Sequence, residues 1–177
     1  MSFCKFMLNL FGWKVSCTLP DYPKSIICVA PHTSNWDFVL GKFAYWSLGR
    51  KAGFIMKASW FFFPMNLLFK AFGGIPVHRG KGSSLTHTLI ERFDHTDHLS
   101  IAIAPEGTRG KVEEWHTGFL RIAHGANIPV VLGVIDGAHK RILLEKSILT
   151  TGDLEADMKT VRDYYKPFVG VKPKNKE

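Results

Sequence analysis

His32 and Asp37 are the residues whose types and spacing best suit acid–base chemistry in this sequence. An apolar run before Pro31 predicts a buried strand that ends in a turn containing His32. Ser34 or Asn35 can cap the helix that follows, which would place Asp37 in the first helical turn. The two side chains can then meet. A carboxylate on one imidazole nitrogen would leave the other nitrogen free to accept a proton.

The same residues also allow a purely structural interpretation. Ser34 and Asp37 form an S-x-x-D pattern, so Asp37 could simply complete a capping box. His32 could be an ordinary turn histidine. The spacing H-x-x-x-x-D on its own is compatible with both interpretations.

A second polar block follows another apolar run and reads Glu106, Gly107, Thr108 and Arg109. The guanidinium of Arg109 offers a fork of donors suited to phosphate, and Glu106 could orient that fork or bind a hydroxyl. Gly107 would let the backbone approach a ligand. The alternatives are a surface ion pair for Arg109 and a simple turn at Gly107.

Two more blocks complete an ordered set: residues 73–79, which end in Arg79, and residues 128–131. In this order the four blocks, within residues 27–135, resemble the glycerolipid acyltransferases, which acylate glycerol 3-phosphate and 1-acylglycerol 3-phosphate. The resemblance implies a single α/β domain with a mostly parallel central sheet flanked by helices. It also implies transfer of a fatty acyl group from acyl-CoA or an acyl-carrier protein to a hydroxyl of a glycerophosphate or lysophospholipid.

The resemblance also assigns roles to individual residues. His32 would deprotonate the acceptor hydroxyl, and Asp37 would hold His32 and compensate its charge. The acceptor would be bound by Arg79, Glu106, Gly107, Thr108 and Arg109. No cofactor or metal is implied, because the acyl thioester is a co-substrate. No acyl-enzyme is expected either, since the chain has no G-x-S-x-G motif and no cysteine near His32.

Two positions depart from the family pattern. His78 precedes Arg79 where relatives have an acidic or other polar residue, and His116 and Thr117 replace a basic pair. These changes keep two alternatives open: an acyltransferase for a non-phosphate amino-lipid acceptor, and a catalytically weak lipid-binding homologue.

Composition restricts the class of partner. The 177 residues predict one domain, residues 1–177, and the net charge of +8 predicts an anionic partner. Because the basic residues are scattered, we expect an anionic membrane surface or a phosphorylated substrate and no nucleic acid. The three cysteines have no C-x-x-C spacing, which favours a reducing compartment. We therefore expect a cytoplasmic protein associated peripherally with the inner face of the membrane.

Two apolar segments bear on that expectation. Residues 1–15 predict an amphipathic helix with Phe3, Met7, Leu10 and Phe11 along one face, which could pack on the domain or lie on a membrane. Residues 58–69 are too short to span a bilayer. They could form a buried helix, the wall of an acyl tunnel or a membrane-dipping surface. Residues 172–177 predict a flexible tail.

Two other polar stretches do not match the pattern of a nucleotide-binding loop or of a metal site. Residues 79–84 lack the spacing of a nucleotide-binding loop. Residues 94–98 contain histidines and aspartates, but their order matches no metal-ligand pattern and favours a polar surface turn.

Alternating apolar and helical patterns predict the elements that must position these residues. We expect strands at residues 25–30, 52–57, 99–104, 128–135 and 140–144. We expect helices at residues 36–48, 60–72, 83–93, 118–125 and 154–165. Several polar motifs follow strands directly, and ligands of open α/β sheets bind at the carboxyl ends of strands.

Overall fold

A seven-stranded sheet runs through the middle of the molecule in the computed structural model, which describes residues 3–77, 83–110 and 112–172. The strands lie in the order β1-β7-β6-β2-β5-β3-β4, and all neighbours are parallel except β6 and β7. This confirms the predicted α/β fold with a mostly parallel sheet. The strands are β1 (Lys14–Cys17), β2 (Lys24–Ala30), β3 (Gly53–Lys57), β4 (Gly74–Val77), β5 (Leu99–Ile103), β6 (Val130–Asp136) and β7 (Arg141–Ile148).

Helices cover both faces of the sheet. Helices α4, α5 and α6 share one core with the sheet, in which Phe93 and Phe119 are almost completely buried, and α1 and α2 pack on the opposite face around Leu8 and Ala44. Burial of such side chains is the main stabilising term of the fold, at about 25 cal/mol per Å² of apolar surface. The helices are α1 (Phe3–Leu10), α2 (Asn35–Ser47), α3 (Met65–Ala71), α4 (Ser83–Asp94), α5 (Gly118–Gly125) and α6 (Leu154–Tyr165).

The predicted helix at residues 60–72 was wrong in its extent. The structure has a 3-10 turn at Ala58–Trp60, a break, and then the short helix α3. Pro64 explains the break, since proline has no N–H to donate and disfavours helical backbone in the residue before it.

Two strands were missed, and a third was assigned too short a range. Strand β1 has only four residues, at one edge of the sheet, and β4 contains Pro76, which sequence reasoning counts against a strand. Strand β7 extends to Ile148, beyond the predicted end at residue 144, and pairs antiparallel with β6.

The two ends of the chain differ in part from expectation. The predicted N-terminal helix ends at Leu10, so Lys14 and Val15 belong to β1. Of the predicted tail, residues 172–177, only Lys172 lies within the described residues, and its main-chain N–H donates to Thr33 Oγ1 at 3.1 Å. No helix among the described residues is long and apolar enough to cross a bilayer.

The topology brings the polar motifs to one edge of the sheet. Strand β2 lies between β5 and β6 and runs parallel to both, so the loops that follow the three strands emerge side by side. His32 follows β2, and Glu106 follows β5. This is the edge at which ligands of open α/β sheets bind.

Candidate active site

His32 and Asp37 meet as their spacing predicted. Nδ1 of His32 lies 3.1 Å from Oδ2 of Asp37, and the side chains are 22% and 1% exposed respectively. Because Nδ1 faces the carboxylate, Nε2 is the imidazole nitrogen left to take part in proton transfer. The pair therefore has the geometry of a base and its orienting carboxylate.

Asp37 also caps α2, so the catalytic and structural interpretations describe one arrangement. Its Oδ2 accepts the main-chain N–H groups of Thr33 at 2.6 Å and Ser34 at 2.8 Å, and Ser34 in turn accepts the N–H of Trp36 through its Oγ. Oδ1 of Asp37 is buried without a hydrogen-bond partner among the described residues. The helix N-terminus favours a negative charge at this position.

Glu106 lies against the main chain of His32. The carboxylate is buried, with 3% of the residue exposed, and its Oε2 accepts the main-chain N–H of His32 at 3.3 Å. This contact joins the turn after β5 to the turn after β2. A direct contact between Glu106 and an acceptor hydroxyl stays a prediction.

Gly107, Thr108 and Arg109 lie on the surface beside this contact. Gly107 has φ +66°, so the turn needs a left-handed residue, which glycine supplies without strain. The hydroxyl of Thr108 accepts the N–H of Gly110 at 3.4 Å. Arg109 is exposed and forms no ion pair with the described residues, which argues against the surface ion pair considered from the sequence.

His116 belongs to the same surface and was not identified from the sequence. A Cβ added at Gly107 would lie 2.8 Å from both Cδ2 and Nε2 of His116, so the imidazole rests on the turn. The N–H of His116 donates to Pro105 O at 2.8 Å. The sequence signal was the replacement of a basic pair, which we interpreted only as a loss of charge. Arg79 and His78 lie outside the described residues.

An apolar cavity of about 140 Å³ opens between α2 and the sheet beside the His32–Asp37 pair. Both residues form part of its wall. The remaining wall is mostly aliphatic and aromatic, with Ile27, Val29, Phe38, Phe54, Ala102 and Ile103 among its members. Such a cavity suits an unbranched hydrocarbon chain next to a reactive centre.

Comparisons with known proteins agree with this geometry. A family model described as Acyltransferase matches residues 16–135. The chain belongs to this acyltransferase family. It is similar in fold to the 1-acyl-sn-glycerophosphate (LPA) acyltransferase PlsC from Thermotoga maritima, with a TM-score of 0.62 and 19% identity, covering 93% of this chain and 74% of that one. A comparison with curated proteins gave no match. The predicted family and the prediction of an acyltransferase are therefore confirmed.

Lys42 of the acyltransferase also lines this cavity, and it is the one basic residue besides His32 among the described lining residues. Only 9% of the residue is exposed, and Nζ donates to the main-chain oxygens of Ala52 and, at 2.7 Å, Phe72. The ring of Phe54 lies 5.1 Å from Nζ. Burial lowers the pKa of the Lys42 ammonium to about 8, because desolvation disfavours its charged form.

The acyltransferase exposes large apolar side chains on α1 and on residues 60–68. In α1, Leu8 is buried, whereas Phe3, Leu10 and Phe11 of the predicted apolar face are 62–70% exposed. The segment at residues 60–68 is not the buried helix that one interpretation offered. Its exposed members are Trp60, Phe62, Phe63, Leu67 and Leu68. Helix α1 packs on α2, and Trp46 of α2 contacts Phe72. These contacts connect α1 with the segment at residues 60–68 through α2.

Replacing Lys42 by methionine should change the pH dependence of stability. The lowered pKa means that the buried charge destabilises the fold below about pH 8, where Lys42 is charged in both states. This cost falls as pH rises from about 8 through 10.5, the ordinary pKa, and is gone above it, where both states are neutral. Between pH 7.5 and 10.5, the unfolding free energy of the wild type should therefore rise by about 1–2 kcal/mol relative to Lys42→Met, after allowance for solvent screening.

Urea unfolding at a series of pH values measures this difference. Lys57→Met is the control, since Lys57 is exposed. Parallel pH profiles for the wild type and Lys42→Met would contradict the prediction.

Proposed function

We propose that the protein transfers a fatty acyl group from an acyl thioester, acyl-CoA or acyl-carrier protein, to a hydroxyl of a glycerophosphate or lysophospholipid. The observation that carries this proposal is the His32–Asp37 contact at 3.1 Å in the wall of an apolar cavity. A proton acceptor and a hydrocarbon site are the two features that acylation of a hydroxyl by a fatty thioester requires. The structural likeness to an LPA acyltransferase supports the same substrate class.

His32 would act as the general base. Its Nε2 removes the proton of the acceptor hydroxyl while the oxygen attacks the thioester carbonyl and forms the new C–O bond. Collapse of the tetrahedral intermediate breaks the C–S bond, and the thiolate takes the proton from Nε2. Asp37 stabilises the imidazolium that exists between these two transfers.

The acyl chain of the donor would occupy the apolar cavity. Ile27 and Val29 of β2 point into the same space as His32, so a chain lying along them ends next to the base. Transfer of the chain from water to this cavity contributes about 0.8 kcal/mol for each buried CH₂ group. The thioester carbonyl is then the only polar part of the acyl group and lies where the cavity opens.

The phosphate of the acceptor would be bound by Arg109. Its guanidinium is exposed in the turn that begins with Glu106, and such a fork can donate two hydrogen bonds to one phosphate. His116 rests on the same turn and is a further donor at the position where relatives carry a basic residue. The resemblance assigns Arg79 to the same phosphate, and the carboxylate of Glu106 would keep the two halves of the site together through the His32 main chain.

The exposed apolar side chains and the positive charge support association with an anionic membrane surface. Phe62 and Phe63 are 55% and 79% exposed, and the basic side chains of Lys57 and Lys70 lie exposed in the same part of the chain. Aromatic side chains enter the interface of a bilayer, and each nearby Lys or Arg adds about 1 kcal/mol of attraction to anionic lipid. A lipid acceptor would then reach the site directly from the membrane.

Removal of the base tests the proposed reaction. His32→Ala should lower kcat by about 10²–10⁴-fold, the usual contribution of a general base. Asp37→Asn should also lower kcat by at least about tenfold, because the amide still accepts the Thr33 and Ser34 N–H groups but carries no charge to stabilise the imidazolium. Release of CoA from a long-chain acyl-CoA in the presence of lysophosphatidic acid measures both effects.

Asp153→Asn is the control for the capping role. Asp153 caps α6 by accepting the N–H groups of Glu155 and Ala156, away from the candidate site. Activity that survives His32→Ala would contradict the assigned base, and full activity in Asp37→Asn would leave Asp37 with its capping role alone.

Arg109→Ala should raise the KM for the acceptor by about tenfold or more and leave the KM for the thioester within about twofold, because the lost donors contact phosphate only. Initial rates with each substrate varied in turn measure this split. Lys24→Ala removes one positive charge at the amino end of β2, away from the loops that carry the site, and controls for net charge. An equal rise in both KM values would contradict the assignment, and a panel of phosphate and amino-lipid acceptors identifies the preferred class.

Membrane association is tested with liposomes. The protein should sediment with vesicles that contain anionic lipid and not with neutral ones, and Phe62→Ser with Phe63→Ser should weaken sedimentation by about tenfold. Leu149→Ser is the control, since Leu149 is 70% exposed near the end of β7 that pairs with the start of β6. Equal partitioning into both kinds of vesicle would contradict the electrostatic part of the proposal.

A further inference from the structure

A short C-terminal segment lies across the turn that carries His32. Residues 169–172, called the C-terminal segment below, follow α6 and return to the carboxyl ends of β2 and β6. The N–H of Gly137, directly after β6, donates to Val169 O at 2.8 Å. The N–H of Lys172 donates to Thr33 Oγ1 at 3.1 Å. The segment therefore connects the end of β6 with the residue next to His32.

At Gly170 in the C-terminal segment, and at Gly137 beside it, the packing leaves no space for a side chain. A Cβ built at Gly170 would lie 2.5 Å from Oγ1 of Thr33 and 2.9 Å from its Cβ. A Cβ built at Gly137 would lie 2.5 Å from Gly170 O and from Val171 Cα. Real Cβ atoms do not approach other atoms so closely, so main chain rests directly on main chain and on Thr33.

The C-terminal segment and the residue before it also pack against the sheet. Val171 packs against the buried cluster that includes Ile135 and Ile142. Asp136, which is 1% exposed, accepts the Arg141 Nε–H at 2.8 Å, and the Arg141 guanidinium lies over the ring of Phe168. The C-terminal segment thus packs against the sheet as well as against Thr33.

Thr33 connects the C-terminal segment to the candidate base. Its hydroxyl accepts from Lys172, and its own N–H donates to Asp37 Oδ2, the oxygen that contacts His32 Nδ1. The residue is 9% exposed. A displacement of Thr33 that reaches its main chain moves the N–H that binds the carboxylate, and the 3.1 Å contact to Nδ1 is already near the long end of the hydrogen-bond range.

We propose that residues 169–172 position the His32–Asp37 pair by holding Thr33, so that Thr33 and Gly170 are positioning residues of the transfer reaction. The proposal rests on the proposed role of His32 as the base. Without the C-terminal segment, the turn keeps its sequence and its helix cap but loses its outer support. The carboxylate then samples positions from which it does not orient the imidazole.

Gly170→Ala is the sharpest test. The backbone of Gly170 is not in the left-handed region, and the three atoms nearest the added methyl group all belong to the Thr33 side chain. We expect kcat to fall by about ten- to a hundredfold, since a displacement of about 1 Å has effects of that size, while both KM values stay within about twofold. Gly118→Ala is the matched control, because a Cβ at Gly118 meets no atom within 4 Å.

A second substitution should rescue the first. Thr33→Ala removes Oγ1 and Cγ2, two of the three nearest atoms that the new methyl group meets, so Gly170→Ala with Thr33→Ala should be more active than Gly170→Ala alone, a coupling that independent sites do not show. Thr33→Val keeps the shape of the side chain but removes the acceptor of the Lys172 N–H. It should lower kcat by about three- to tenfold and supplies the test if Gly170→Ala does not fold.

Hydrogen exchange gives a readout that does not depend on activity. The N–H groups of Thr33 and Ser34 bind a buried carboxylate, so Gly170→Ala and Thr33→Val should accelerate their exchange by about tenfold and leave the N–H of Tyr45, within α2, unchanged. Equal acceleration of all three groups, or unchanged exchange with unchanged kcat, would overturn the proposal. If the wild type transfers no acyl group, the proposed function fails, whereas the exchange data still decide whether the C-terminal segment holds the turn.

Discussion

The candidate site depends on a single oxygen atom, Oδ2 of Asp37. It accepts the N–H groups of Thr33 and Ser34 and contacts Nδ1 of His32, so the same atom starts α2, closes the turn after β2 and orients the imidazole. A buried carboxylate is stable only when such donors compensate its lost hydration. The helix N-terminus adds a favourable dipole. The contacts that fold this turn therefore also orient the His32 imidazole.

Two contacts from distant parts of the chain also hold this turn. The carboxylate of Glu106 holds the His32 main chain from the loop after β5, and the C-terminal segment holds Thr33 from the end of β6. Glu106 follows β5 and the C-terminal segment contacts the residue after β6, so both supports lie at the ends of the strands that flank β2. Each support restricts a different part of the turn, so together they limit how far the His32 imidazole can move.

The acyltransferase places its polar and apolar functions on adjacent surfaces. Arg109 and His116 lie exposed at the edge of the sheet, whereas the described wall of the cavity under α2 is apolar apart from His32, Asp37, Lys42 and the hydroxyl of Tyr45. A substrate with a charged head and a hydrocarbon tail matches this division. The exposed aromatic residues of α1 and the 60–68 segment extend the apolar surface to the outside of the molecule.

Sequence by itself determined the elements and motifs whose signals are local. The extents of α5 and α6 follow from their periodicity, and the meeting of His32 and Asp37 follows from a strand, a turn and a helix start within eleven residues. Local patterns failed where a short element depends on its neighbours: β1 and β4 are stable only because β7 and β3 pair with them.

Only the tertiary structure decided what surrounds the pair. The support of His32 by Glu106 joins residues that are 74 positions apart, and that of Thr33 by Lys172 joins residues 139 apart. The placing of His116 on Gly107 likewise depends on the path of an irregular loop. No periodicity or spacing encodes such contacts. They arise because a parallel sheet brings the ends of distant strands to one edge.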